Sequence, residues 1–360
     1  MRNVFAYCVI ALSAIASLSL LAPLAATTSP QESATDIETA PQPKRARLLF
    51  AGDIMCHYPQ VTAAARGNGE YDFTPFFEYV KPIIESADVA IANFETTVSP
   101  DGRYSGYPAF SSPAQLAVAV KDAGFDIALT ANNHCCDRSA RGIRSTIECM
   151  DSIGIAHTGT FRDSTEYAAL NPLRFESNGI KFALLNYTYG TNGIPVPKGY
   201  IVNLIDTLAI ARDLETAKDA DCRIAVMHWG DEYRRRPNRE QQSLADFMHR
   251  HGADIIIGSH PHVIEPADTC GGKFIVYSLG NYVSNMSSRY CDGGIMAQVD
   301  IEILSGEIAK RKLTLIPVWV KRSEYKILPF EVADTVEMSV GERKRYELFR
   351  ADTESLLFSE

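Results

Sequence analysis

The feature that most constrains this chain is a repeated pattern: a short apolar run that ends in a residue able to bind a metal ion. Leu48-Leu49-Phe50-Ala51 passes through Gly52 into Asp53, and Val89-Ala90-Ile91-Ala92 runs into Asn93-Phe94-Glu95. Ile127-Ala128-Leu129-Thr130 leads to Asn132-Asn133-His134, Ile224-Ala225-Val226-Met227 to His228, and Ile255-Ile256-Ile257-Gly258 to Ser259-His260-Pro261-His262. Continuous apolar runs of this length, without alternation, fit strands covered on both faces. Helical spacing occupies 75–87, 113–123, 142–153 and 206–220, and Asn238 is placed to cap a helix reaching His251. Strands alternating with helices predict βαβ units in a largely buried sheet.

Two further signals complete the layout. Asn178-Gly179, between two apolar runs, predicts a tight hairpin. Beyond Lys273 only strands are expected, through Tyr277, 295–303 and 312–320, with a turn at Ser305-Gly306. Residues 47–330 read as one α/β domain, and 331–360 as an extension ending in a peripheral helix over 342–357.

At the N-terminus, Arg2 precedes an uncharged run from Val4 to Ala26. Residues 1–26 read as a secretory signal peptide or an uncleaved membrane anchor, and 27–46, rich in Thr, Ser, Pro and acidic residues, as a flexible linker. Export to a periplasmic or other extracytoplasmic location is therefore expected. Eight cysteines become seven if Cys8 leaves with the leader, so at least one thiol stays unpaired. A hydrophobic share of 46% with 22% charged residues excludes a disordered chain. Thirty-five basic against 44 acidic residues, a net charge of −9 without a basic stripe, argue against nucleic-acid binding.

Asp53, Glu95, Asn133, His134, His228, His260 and His262 each follow the C-terminal end of an expected strand. In open α/β sheets the loops at that edge face one crevice. Taken singly, such an aspartate is more often a turn former and such a histidine a structural residue. Five strand ends carrying carboxylate, amide and imidazole together point to a divalent transition metal bound through mixed oxygen and nitrogen donors.

The order of these residues resembles the calcineurin-like metallophosphoesterases and, more closely, the CapA-type bacterial capsule synthesis family associated with poly-γ-glutamate. The matching blocks are Gly52-Asp53-Ile54-Met55, Asn93-Phe94-Glu95, Ala131-Asn132-Asn133-His134, His228-Trp229-Gly230-Asp231-Glu232-Tyr233, Gly258-Ser259-His260-Pro261-His262 and Tyr277-Ser278-Leu279-Gly280-Asn281. They span about residues 47–285. The resemblance implies an α/β fold, a four-layer αββα sandwich, around two divalent ions such as Mn, Fe or Zn. Glu95 would bridge them, Asp53, His57 and His262 would complete one site, and Asn133, His228 and His260 the other. His134 would face the substrate as general acid or charge stabiliser, with Asp137 either orienting it or capping the next helix. Glu232 and Tyr233 would contact substrate or support the ligands, and Asn281 would lie on the substrate side. Arg234, with Arg235 and Arg236, is either solvated surface or a grip for a polyanion.

Three positions depart from the pattern. Met55 stands where metallophosphoesterases usually carry a histidine, and His57 is expected to replace it. Glu95 takes the place of an aspartate, and Ser139 stands where family members often have glycine. The expected function is metal-dependent hydrolysis of phosphoester or amide bonds in synthesis or modification of a capsule-like surface polymer. The alternative is a non-catalytic polymer-binding component of an export assembly. The expected partners are an anionic surface polymer or phosphorylated glycan and membrane-bound capsule machinery.

Overall fold

A computed structural model describes residues 42–270 and 273–358. The expected leader, 1–26, and the linker up to residue 41 lie outside the described residues. Along the chain come β1 (Lys44–Ile54), β2 (Val89–Phe94), β3 (Ile127–Leu129) and β4 (Ala156–Thr158), laid parallel in that order. A second sheet follows, made of β5 (Leu173–Ser177), β6 (Ile180–Thr188), β7 (Cys222–His228), β8 (Ile255–Ser259), β9 (Ile264–Cys270) and β10 (Lys273–Leu279). The chain then returns to the first sheet with β11 (Asn281–Val283), β12 (Gly293–Leu304), β13 (Glu307–Lys321) and β14 (Lys326–Pro329). The first sheet runs β14-β13-β12-β1-β2-β3-β4, with β11 also paired to β1, and the second runs β9-β10-β8-β7-β6-β5.

Strand parity shows the layers. Leu48, Phe50, Ile91 and Leu129 of the first sheet share one core with Phe182, Leu184, Ile224, Val226 and Ile257 of the second. Their alternate neighbours Leu49, Ala51, Ala90 and Ala92 instead pack with Leu116, Ala117 and Val120 of helix α1 (Ala114–Asp122) and with Met150 of helix α2 (Ser139–Ile153). On the second sheet's outer face, Leu185, Ala225, Met227 and Ile256 pack against helices α3 (Thr207–Thr216) and α4 (Arg239–Arg250). Period-two alternation thus fills three cores and gives the αββα order. Asn238 caps α4, with Gln241 completing a reciprocal capping box.

The expected boundaries need four corrections. The fold begins at Lys44 rather than 47, because Lys44–Ala46 pair with Ile301–Ile303 of β12. The helix expected over 75–87 is two single turns, Thr74–Phe77 and Lys81–Ile84, each carrying a proline in its first turn. Pro82 lacks the N–H that a continuous helix would need there. Strands β9 and β14 lie outside the strands expected from the sequence. The C-terminal helix α5 (Val340–Leu357) is not peripheral: buried Tyr346 and Phe349 join the core between the sheets, and Tyr346 packs against Trp319. The hairpin turns at Asn178-Gly179 and Ser305-Gly306 have the positive φ pairs of tight hairpins. Among the described residues no helix is long and apolar enough to cross a membrane.

Candidate metal centre

The parallel strands of both sheets end at one rim, and their terminal residues meet there. Gly52 lets β1 approach β11 closely: a Cβ at this position would collide with the Gly280 carbonyl oxygen. The Asp53 N–H then bonds that same oxygen at 3.1 Å. Asp53 and Glu95 are fully buried. Asn93 sits between them, its Nδ2 donating to Asp53 Oδ1 at 2.8 Å and reaching Glu95 Oε2 at 3.3 Å. Asn93 lies two residues before Glu95, and its role was not read from the sequence. The period-two spacing that places both side chains on one strand face was the available signal.

The histidines arrive from the second sheet. His228 Nε2 lies 3.0 Å from Asn133 Oδ1 and 3.9 Å from Glu95 Oε1, while its Nδ1 is 3.0 Å from Ser259 Oγ. His262 Nδ1 lies 3.1 Å from Asn281 Oδ1, and its Nε2 is 3.9 Å from Glu95 Oε1. Asn281 Nδ2 donates to the Cys291 carbonyl at 3.1 Å, which fixes the amide with its oxygen toward the imidazole. His262 Nδ1 therefore carries the proton, and the Nε2 lone pair is free to ligate. The His260 ring packs 4.8 Å from the His228 ring.

Potential donor atoms of Asp53, Glu95 and His262 lie within 4.8 Å of one another, and so do those of Glu232, His260 and His262. His228 adjoins the first group through Glu95, and Asn133 adjoins His228. The structure thus brings together Asp53, Glu95, Asn133, His228, His260 and His262. It places His57 outside both groups. The His57 Nδ1 accepts the Asn285 N–H at 3.3 Å, and its ring stands 5.1 Å from Phe110. Met55 is buried and offers no hard donor.

The donor set fits a divalent cation. Glu95 Oε1 and His260 Nδ1 are buried without a hydrogen-bond partner, a state that is unfavourable unless something else satisfies them. Burial, then the neighbouring Asp53, Glu232 and Asp137, hold the Glu95 carboxyl well above the usual range. Burial pushes His260 down to about 3, with His262 adding to the effect, and lowers His228 well below the ordinary imidazole value. Neutral imidazoles facing crowded carboxylates are the reactants for metal binding. A third grouping, Asp151, His157 and Glu166, differs: the Arg162 guanidinium already bridges the two carboxylates, at 2.9 and 2.5 Å.

Beside this centre, His134 Nδ1 lies 2.8 Å from Asp137 Oδ2, which also accepts the Phe110 N–H at 2.6 Å. Asp137 orients His134, and the capping alternative falls away because Arg138 occupies the N-cap of α2. Phe110 packs edge-on against His134, with ring centroids 4.6 Å apart. Ser139, at φ 50°, occupies the left-handed region, which explains a glycine preference there.

Asn281, expected as a substrate contact, is fully buried with its amide committed to His262 and Cys291. Glu232, Tyr233 and Arg234 are exposed on the rim loop. Arg235 is held inward, donating to the Asp352 carbonyl at 2.7 Å and stacking over Tyr290. Tyr189, 47% exposed, lies 4.5 Å ring to ring from His260. It follows β6 directly, so the strand-end rule that picks out the candidate donors also applies to it.

The model of the bacterial capsule synthesis protein PGA_cap family matches residues 47–286. The PGA biosynthesis protein CapA of Bacillus subtilis (strain 168) is 30% identical over 246 residues, 65% of this chain and 62% of that one. The capsule biosynthesis protein CapA of Bacillus anthracis is 30% identical over 255 residues, 66% and 59% of the two chains. The match therefore spans about three fifths of those relatives' length. A 5′-nucleotidase of Candida albicans SC5314 aligns structurally with a TM-score of 0.45 and 11% identity, covering 86% of this chain and 58% of that one. With two thirds of its length matched by the family model, this chain belongs to the bacterial capsule synthesis PGA_cap family.

Proposed function

We propose that the protein is an exported, metal-dependent hydrolase acting in capsule-type surface-polymer synthesis or modification, on a phosphoester or amide bond of an anionic polymer such as poly-γ-glutamate. The observation that carries this reading is the His134–Asp137 pair standing beside the buried donors of Asp53, Glu95 and His262. An imidazole oriented by a carboxylate beside candidate ligands is the arrangement that proton transfer to a leaving group uses.

Divalent ions of the Mn, Fe or Zn type, two in this reading, would be held by Asp53, Glu95 and His262 and by Glu95, Asn133, His228 and His260, and would polarise the scissile group and activate water. The chain's own residues do the rest. Asp137 Oδ2 accepts the Nδ1 proton of His134, which leaves Nε2 to pass a proton to the leaving oxygen or nitrogen. Phe110 walls the ring and limits the water around it. The exposed Arg234 and Arg236 offer guanidinium groups at the rim for carboxylates or phosphates of the polymer. The names of the Bacillus relatives support the capsule and poly-γ-glutamate context. The Val4–Ala26 run supports export, where membrane-bound capsule machinery would be met.

The test is turnover of a phosphodiester and of γ-linked glutamate oligomers by the Mn-loaded protein. Cleavage of either supports the reading. Binding of polyglutamate with no cleavage of either, in fully metallated protein, favours a non-catalytic component of an export assembly.

A further inference from the structure

The rim loop carries a carboxylate whose placement differs from that of its neighbours. Arg235 turns inward and Tyr233 remains at the mouth. Glu232, however, brings a carboxylate oxygen within 4.8 Å of the ligand nitrogens of both His260 and His262. The loop is pinned to the histidine loop itself: the Tyr233 N–H donates to the Pro261 carbonyl at 2.8 Å. Tyr233, His260 and His262 all have positive φ, at 65°, 99° and 58°. Non-glycine residues hold such conformations only where surrounding structure over-determines them. An independent observation points the same way: His260, 3% exposed, keeps its Nδ1 without a hydrogen-bond partner.

We propose that Glu232 is a metal ligand of this centre, joining Asp53, Glu95 and His262 around one divalent cation from the solvent side. This rests on the metal-centre reading above and adds a ligand to it. Asp53, Glu95 and His262 supply three donors to one ion, and such ions take at least four. Met55 supplies none, and His57, its Nδ1 held by the Asn285 N–H, is in neither donor group. A carboxylate delivered from the second sheet supplies the fourth. A ligand on an exposed loop leaves the polymer's path to the ion dependent on that loop, because substrate and Glu232 approach from the same side.

The experiment compares Mn²⁺ binding by the full chain and its Glu232→Gln and Glu232→Asp variants, using metal analysis after gel filtration and calorimetric titration. Glu232 is exposed, so metal-free wild type and variants should melt at the same temperature. Glu232→Gln is expected to lose one bound ion or to weaken it at least 10-fold, and Glu232→Asp to recover part of that loss. Co²⁺ absorption should shift in Glu232→Gln as a ligand is lost. Wild-type stoichiometry and affinity in Glu232→Gln, with polyglutamate binding impaired instead, would overturn the inference and leave the metal centre standing. A wild-type chain that binds no metal would overturn both.

Discussion

His262 presents its Nε2 to the centre because its Nδ1 is held, at 3.1 Å, by Asn281 Oδ1. That amide is in turn fixed by the Cys291 carbonyl, so two contacts remote from solvent decide which nitrogen can ligate. Supporting contacts of this kind typically change metal affinity by about 10–100-fold. Asn281→Ala should therefore weaken Mn²⁺ binding by roughly that factor in a calorimetric titration. It should also lower stability by about 1–3 kcal/mol, since the Cys291 carbonyl loses its donor. Unchanged affinity would mean that His262 needs no orientation.

His134 lies next to Asn133, a ligand in the proposed reading, yet its Nδ1 is committed to Asp137. His134→Ala should cut turnover by about 10²–10⁴-fold with metal content intact. Asp137→Asn should fall between wild type and that variant. Loss of metal along with activity would make His134 a ligand and contradict its assignment.

Glu265, fully buried on β9, has its carboxyl pushed up to about 7, mainly by burial. Gln241 Nε2 donates to one oxygen at 2.7 Å, and the other has no partner. In the unfolded chain the same group titrates near 4.5. Between these values the folded state binds more protons, so Glu265 lowers stability progressively as pH rises through the window. Glu265→Gln should raise unfolding free energy by roughly 1–3 kcal/mol at pH 8 and far less at pH 5, given about 1.4 kcal/mol per unit. Urea denaturation at the two pH values checks this, and an equal gain at both would contradict it.

Beyond burial, Asp53 and Glu232 both raise the Glu95 carboxyl, a repulsion that a bound cation would relieve. The metal-free protein should stay folded and melt at a lower temperature, and Mn²⁺ at 100 times its Kd should restore about 2.7 kcal/mol. Differential scanning calorimetry in chelator and in Mn²⁺ reads this directly. A melting temperature indifferent to metal would argue against a site built for one.

Much of the fold was legible because buried parallel strands leave unbroken apolar runs, and the edge at which such strands end is where donors collect. That logic picks out Asp53, Glu95, Asn133, His228, His260 and His262, which the structure gathers at one rim. It failed where burial, not residue type, decides a role. Asn281 reads as a substrate contact in sequence and is a buried orienter of His262 in the structure. His57 has the right chemistry two residues from Met55, but the turn into the helix from Tyr58 points its Nδ1 to Asn285. Tyr346 and Phe349 carry the pattern of a packed helix face, but nothing local says which core receives them. Glu232 looks like an exposed loop acid until the second sheet brings it to the histidines.

The most direct measurement is a crystal structure of the Mn²⁺-loaded protein with anomalous scattering. The account predicts anomalous peaks at the strand-end rim, roughly 2.0–2.2 Å from Glu95 and His262 and at comparable distances from Asp53 and His228. Crystals grown in saturating Mn²⁺ with no peak among these residues would contradict it.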